Sequence, residues 1–149
     1  MKTLNEEQIK TFNDFESYQK TLWTKYYEMH KSMSMLVGTI KQPSEETDAL
    51  MAAVSSCCSS LEQHWCSLEI KMQNELVIKE TGNQLVHIDD NEKKNKAIKS
   101  LLNAYGNFSF AAGKLMHFLN TQDDVQTLHR DKNMLKSHIE KVIEIILEQ

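Results

Sequence analysis

Glycine and proline are scarce, with four Gly and one Pro in 149 residues, against average usage of about 7% and about 5%. Folds built on many tight turns, such as sandwiches, barrels and Rossmann sheets, are excluded by that shortage. Arginine is scarcer still: Arg130 is the only one. The bidentate forks that dominate phosphate and guanine recognition are therefore almost missing, which disfavours nucleic acid as a partner. No apolar run approaches the roughly 18 residues of a spanning helix. The opening residues Met1 to Glu7 turn acidic where a secretory leader would carry its apolar segment, so the expected location is cytoplasmic.

Several kinds of chemistry lack their residues. Cys57, Cys58 and Cys66 are odd in number and have no Cys-x-x-Cys spacing, so they read as reduced thiols acting as small core hydrophobes. A di-iron bundle needs inward Glu-x-x-His pairs, and none occurs. The histidines, residues 30, 64, 87, 117, 129 and 138, never fall at the i, i+4 spacing that a helical metal site uses. Ser55, Ser56, Ser59 and Ser60 have no strand-turn-helix elbow to activate a hydroxyl. The expectation is a protein that is not an enzyme and carries no cofactor.

What remains is helix. With 40% apolar and 26% charged residues and a net charge of −4, the chain has the make-up of one globular domain spanning 1–149. Asn5 and Gln8 form a capping box, with Leu4 and Ile9 as its hydrophobic staple, and open a helix over 6–41. Its heptad stripe runs Phe12, Phe15, Leu22, Tyr26, Met29, Met33, Leu36 and Ile40, interrupted by Gln19, until Pro43 stops it. Ser44 caps a second helix over 45–81, with Glu45, Glu46 and Asp48 at the positive end of its dipole. The stripe there is read as Met51, Val54, Cys58, Leu61, Trp65, Leu68, Met72 and Leu76, with Gly82 as the stop. Leu85 to Ile88 is either a helical extension, a packed connector or a lone strand.

A third helix, 91–119, starts after Asp89 or Asp90 and carries Ile98, Leu101, Tyr105, Phe108, Ala112, Leu115 and Leu119. Ala104, Gly106, Ala111 and Gly113 add small residues that would let another backbone come close. Thr121 caps a fourth helix over 122–147 with the stripe Val125, Leu128, Leu135, Ile139, Val142 and Ile146. That stripe slips by one residue against the third, so a break near Asn120 is read, with one long overwound helix as the alternative. The expected fold is all-α: an up-and-down bundle of three or four long amphipathic helices with coiled-coil-like packing.

Three functional readings follow. Trp23, Met35, Val37 and Ile143 lie beside the stripes and add sticky surface, and eight methionines suit a surface that repacks against partners. The leading reading is thus a protein-binding scaffold or adaptor that pairs with itself as a homodimer. A second reading starts from Lys93, Lys94, Lys96 and Lys99, which either meet anionic lipid or form a solvated face neutralised by Asp89, Asp90 and Glu92. A third is a copper carrier, because Met29, His30 and Met33 are soft ligands suited to Cu(I); the alternative there is adaptable core filling by methionine.

The junction of the first two helices also resembles a known family. Residues 31–36 (Lys-Ser-Met-Ser-Met-Leu), 44–50 (Ser-Glu-Glu-Thr-Asp-Ala-Leu) and 53–55 (Ala-Val-Ser) are similar to sorting-nexin BAR domains, as is the segment 136–142 (Lys-Ser-His-Ile-Glu-Lys-Val). The resemblance implies antiparallel dimers that sense or bend endosomal membrane. It transfers no lipid-binding residue to this chain.

Overall fold

The computed structural model describes residues 5–35, 44–81, 91–119 and 121–148, and within them all side chains except those of 32–35, 44, 64–81 and 91–93. Four α-helices follow one another: α1 (Glu6–Met35), α2 (Ser44–Thr81), α3 (Asn91–Leu115) and α4 (Gln122–Glu148). Among the described residues there is no strand. Each helix packs on its sequence neighbours, and α4 closes the ring against α1. Cross-helix pairs give the directions. Trp23 meets Ser55 and His30 meets Asp48, so α2 runs against α1. Gln8 meets Glu148 and Tyr18 meets Asp131, so α4 also runs against α1. The bundle is up-and-down, as expected.

The caps at Asn5 and Thr121 form as their spacing predicts, whereas the side chain of Ser44 lies outside the described ones. Asn5 and Gln8 exchange side-chain to backbone hydrogen bonds of 2.8 and 3.0 Å, satisfying donors that the first turn of α1 would leave open. At α4, the Asp124 N–H donates to Thr121 Oγ1 at 3.1 Å. Leu4, the staple partner, lies outside the described residues, as do Gly82, Asp89, Asp90 and the segment Leu85 to Ile88. The expected extension of the first helix to 41, with Leu36, Val37 and Ile40, lies outside them too.

Three expectations are corrected. The third helix does not reach 119: α3 ends at Leu115, Met116–Phe118 is a single 3-10 turn, and Leu119 is extended at φ −78 and ψ 133. A tightened last turn followed by an extended residue ends the helical ladder, so the single overwound helix is excluded. On α2 the buried face is Thr47, Leu50, Val54, Cys57 and Leu61, while Met51 and Cys58 sit at its edge. Val54 and Leu61 are buried as expected, but the inward direction is rotated by about half a position because Ala, Ser and Cys surround the helix and blur the polar boundary; Trp65, Leu68, Met72 and Leu76 lie outside the described side chains. On α3 the small residues divide: Ala104 and Ala111 are buried, but Gly106 and Gly113 turn outward, where an added Cβ would meet nothing within 4 Å.

The core is continuous across the bundle. Phe12, Phe15, Leu22 and Tyr26 of α1 enter it at spacings of three, seven and four, together with Leu101, Phe108 and Leu115 of α3 and Leu128, Leu135, Ile139 and Val142 of α4. Tyr26 meets Phe108 edge to face, with centroids 5.9 Å apart and ring planes at 72°, a favoured aromatic geometry.

Opposite faces of α3 should respond with opposite signs. Leu101→Ala or Leu115→Ala empties a filled site and should cost ~2–5 kcal/mol. Gly106→Ala and Gly113→Ala should each stabilise by ~0.5–1 kcal/mol, because the helix gains propensity and no neighbour is displaced. Chemical denaturation checks both signs, and a destabilising alanine at either glycine would contradict the open outer face.

Candidate functional site

Between Leu128 and Leu135 the α4 stripe is broken by a carboxylate. Asp131 takes the core position there and is buried. A buried charge is tolerated only with partners, and α1 supplies them. Lys25 Nζ lies 2.5 Å from Asp131 Oδ2, and Tyr26 donates its hydroxyl to the same oxygen at 3.3 Å. Tyr18, two turns earlier, donates to the Asp131 backbone carbonyl at 3.0 Å. Three residues of α1, over two turns, thus grip Asp131 of α4. Burial and the Asp131 charge both push the Tyr18 and Tyr26 hydroxyls above the usual phenol range, burial the more, so both are donors at any physiological pH.

Lys25 and Tyr26 of this clamp also border a groove of about 240 Å³ at one end of the bundle. Lys25, Tyr26 and Met29 line it from α1, Leu115, Phe118 and Leu119 from the α3 end, and Asp124, Thr127 and Leu128 from α4. The volume falls below the ~300 Å³ at which small-molecule pockets begin. Gln19 adds a second polar intrusion: it is buried, and neither amide atom has a hydrogen-bond partner among the described residues. Nearby, His138 of α4 lies over Phe15 and Tyr18, with ring centroids 6.1 and 4.8 Å away. Burial, with help from the Lys141 charge, holds its imidazole below the usual range, and Asp14 opposes this.

The residues singled out from sequence are dispersed. Met29 is half-buried against the core and lines the groove, whereas His30 faces α2 and pairs with Asp48. The side chain of Met33 lies outside the described residues. No group of three His, Cys, Asp or Glu side chains close enough to hold a metal occurs among the described residues. Burial drives the Cys57 thiol up to about 12 and the Cys58 thiol up to about 11, which leaves little thiolate for redox or nucleophilic work; Cys66 lies outside the described side chains. Ile143 is half-buried against the core. Met35 and Lys93 have no described side chain, and Val37 lies wholly outside. Lys96 and Lys99 are exposed, and Lys94 is half-buried and engaged.

Trp23 does reach the surface. Its ring stacks on Tyr27 with centroids 5.0 Å apart and planes at 12°, and its indole N–H donates to Ser55 Oγ at 3.2 Å. The two aromatics keep 37% and 46% of their surface exposed. Sequence reasoning missed Tyr27 as its companion, although i, i+4 spacing on a helix places such rings together. It also missed Asp131, whose only sequence signal was a charge at a stripe position. No helix among the described residues is long and apolar enough to cross a membrane. No family model, curated protein or solved structure matches the chain. The similarity to sorting-nexin BAR domains therefore rests on the sequence segments alone.

Two outcomes test this account of the α1–α4 contact. Lys25→Met strands a buried carboxylate, whereas Asp131→Asn strands an ammonium that is 43% exposed and can hydrate. The lysine variant should therefore lose more stability in denaturation, by ~1 kcal/mol or more, and the reverse order would show that the clamp is wet. His138 titrates with the opposite sign to a salt-bridged imidazole. Because its folded form holds the proton less tightly than the unfolded chain, stability should fall as pH drops through ~6.5 towards the depressed folded value. His138→Phe should flatten that fall when urea midpoints at ~pH 7.5 and ~5.5 are compared, and an equal or steeper fall in the variant would contradict it.

Proposed function

We propose that this protein is a non-enzymatic helical bundle that acts by binding other proteins and pairs with a second copy of itself. The observation that carries the reading is the Trp23–Tyr27 stack. Large aromatics stand outside a core that is already filled by Phe12, Phe15, Tyr26 and Phe108. Their rings are held in place by stacking and by the Ser55 hydroxyl, so little side-chain entropy is lost when a partner covers them. Tyrosine and tryptophan fixed in this way are the residue types that anchor protein interfaces. The raised cysteine thiols and the scattered histidines supply no competing chemistry among the described residues.

Light scattering after size-exclusion chromatography tests the proposal. The wild type should give twice the chain mass of 17.3 kDa, and Trp23→Glu with Tyr27→Glu should return it to the monomer while leaving helicity unchanged. A wild type that stays monomeric at every concentration would remove the self-pairing part of the reading.

A further inference from the structure

We infer that the outer face of α3 is a docking surface for an acidic amphipathic helix; this extends the protein-binding reading above by naming the surface and the chemistry of its partner. At 3.6 residues per turn, Lys99, Leu102, Gly106, Phe110 and Gly113 fall within about 80° of one another. They lie opposite the buried Leu101, Phe108 and Leu115. Leu102 is 52% exposed and Phe110 68% exposed, the latter the most exposed large apolar side chain among the described residues. Gly106 and Gly113 leave the ground beside them open, since a Cβ on either would meet nothing within 4 Å. They stand two turns apart, the repeat with which a ridge of another helix returns to the same line.

Charge selects the partner. The chain as a whole is −4, yet no Asp or Glu occurs from Lys93 to Gln122. Lys96, Lys99 and Lys114 are exposed along the face, and none of them forms an ion pair among the described residues. The Lys114 ammonium lies 5.0 Å from the Phe110 ring centroid, so an apolar residue and a carboxylate one turn apart on a partner would meet both at once. An anionic membrane would also attract the lysines, but a flat lipid surface gains nothing from two bare glycine positions at helical repeat. A helix fills them.

The test uses the full chain and two synthetic amphipathic peptides of about 20 residues with the same Leu/Ala stripe, one flanked by Glu and one by Lys. Fluorescence anisotropy should show the Glu peptide binding at least about tenfold tighter than the Lys peptide, with the difference shrinking as salt is raised. Leu102→Ser with Phe110→Ser should weaken the Glu peptide about tenfold or more, and Lys99→Glu with Lys114→Glu should reverse the preference. All four positions are exposed, so both variants should keep the wild-type helicity in circular dichroism. Equal binding of the two peptides, or no loss in the serine variant, would overturn the assignment. So would binding to phosphatidylserine vesicles that the same substitutions abolish while neither peptide binds, which would make this a membrane face. If the peptide fails but a dimer dependent on Trp23 and Tyr27 persists, the α3 assignment falls and the protein-binding reading stands.

Discussion

Each of the four helices carries one apolar stripe, and no stripe can be covered until the other three are in place. That mutual dependence organises the rest of the molecule. It makes α4 close on α1 although the two are farthest apart in sequence, and it aligns Phe12, Phe15, Leu22 and Tyr26 with the stripes of α3 and α4 in a single cluster. The gain from burying such side chains, of order 1.5–3 kcal/mol each, holds helices that would be marginal alone. Ring closure also sorts the surface: whatever a stripe cannot absorb, such as Trp23, Tyr27, Leu102 and Phe110, is left facing outward.

Three polar residues are buried among the described ones, Gln19, Thr47 and Asp131, and two of these, Asp131 and Gln19, have contrasting consequences. Asp131 is satisfied by Lys25 and Tyr26 and ties α1 to α4 at a defined height. Gln19 has no partner for either amide atom among the described residues. The first fixes register through contacts that any sliding of α4 would break. The second makes no such contact with the described residues.

Much of the fold was legible in local pattern. The capping box at Asn5 and Gln8 and the cap at Thr121 depend on residues three apart in sequence, and both formed. The stripes of α1 and α4 were legible because charged residues mark their outer faces sharply. On α2 the boundary is blurred by Ala, Ser and Cys: Val54 and Leu61 are buried as expected, but Leu50 and Cys57 take the places of Met51 and Cys58. Gly106 and Gly113 were read as close-approach positions, but a small residue is compatible with either side of a helix, and they face outward. The candidate sites were less legible. Tyr27 lay one turn from the selected Trp23, while Asp131 is a carboxylate whose partners lie more than a hundred residues away.

Composition, caps and period, all short-range properties of the chain, determined that it is helical, where most helices start, and that they pack as an up-and-down bundle. Tertiary structure alone decided which helix edges remain uncovered, which polar groups in the stripes find partners, and where the third helix gives way to the extended Leu119. The reason is physical. Helix propensity and capping act over a few residues, whereas exposure and charge pairing depend on which neighbour arrives opposite, and that is set only when all four stripes close together.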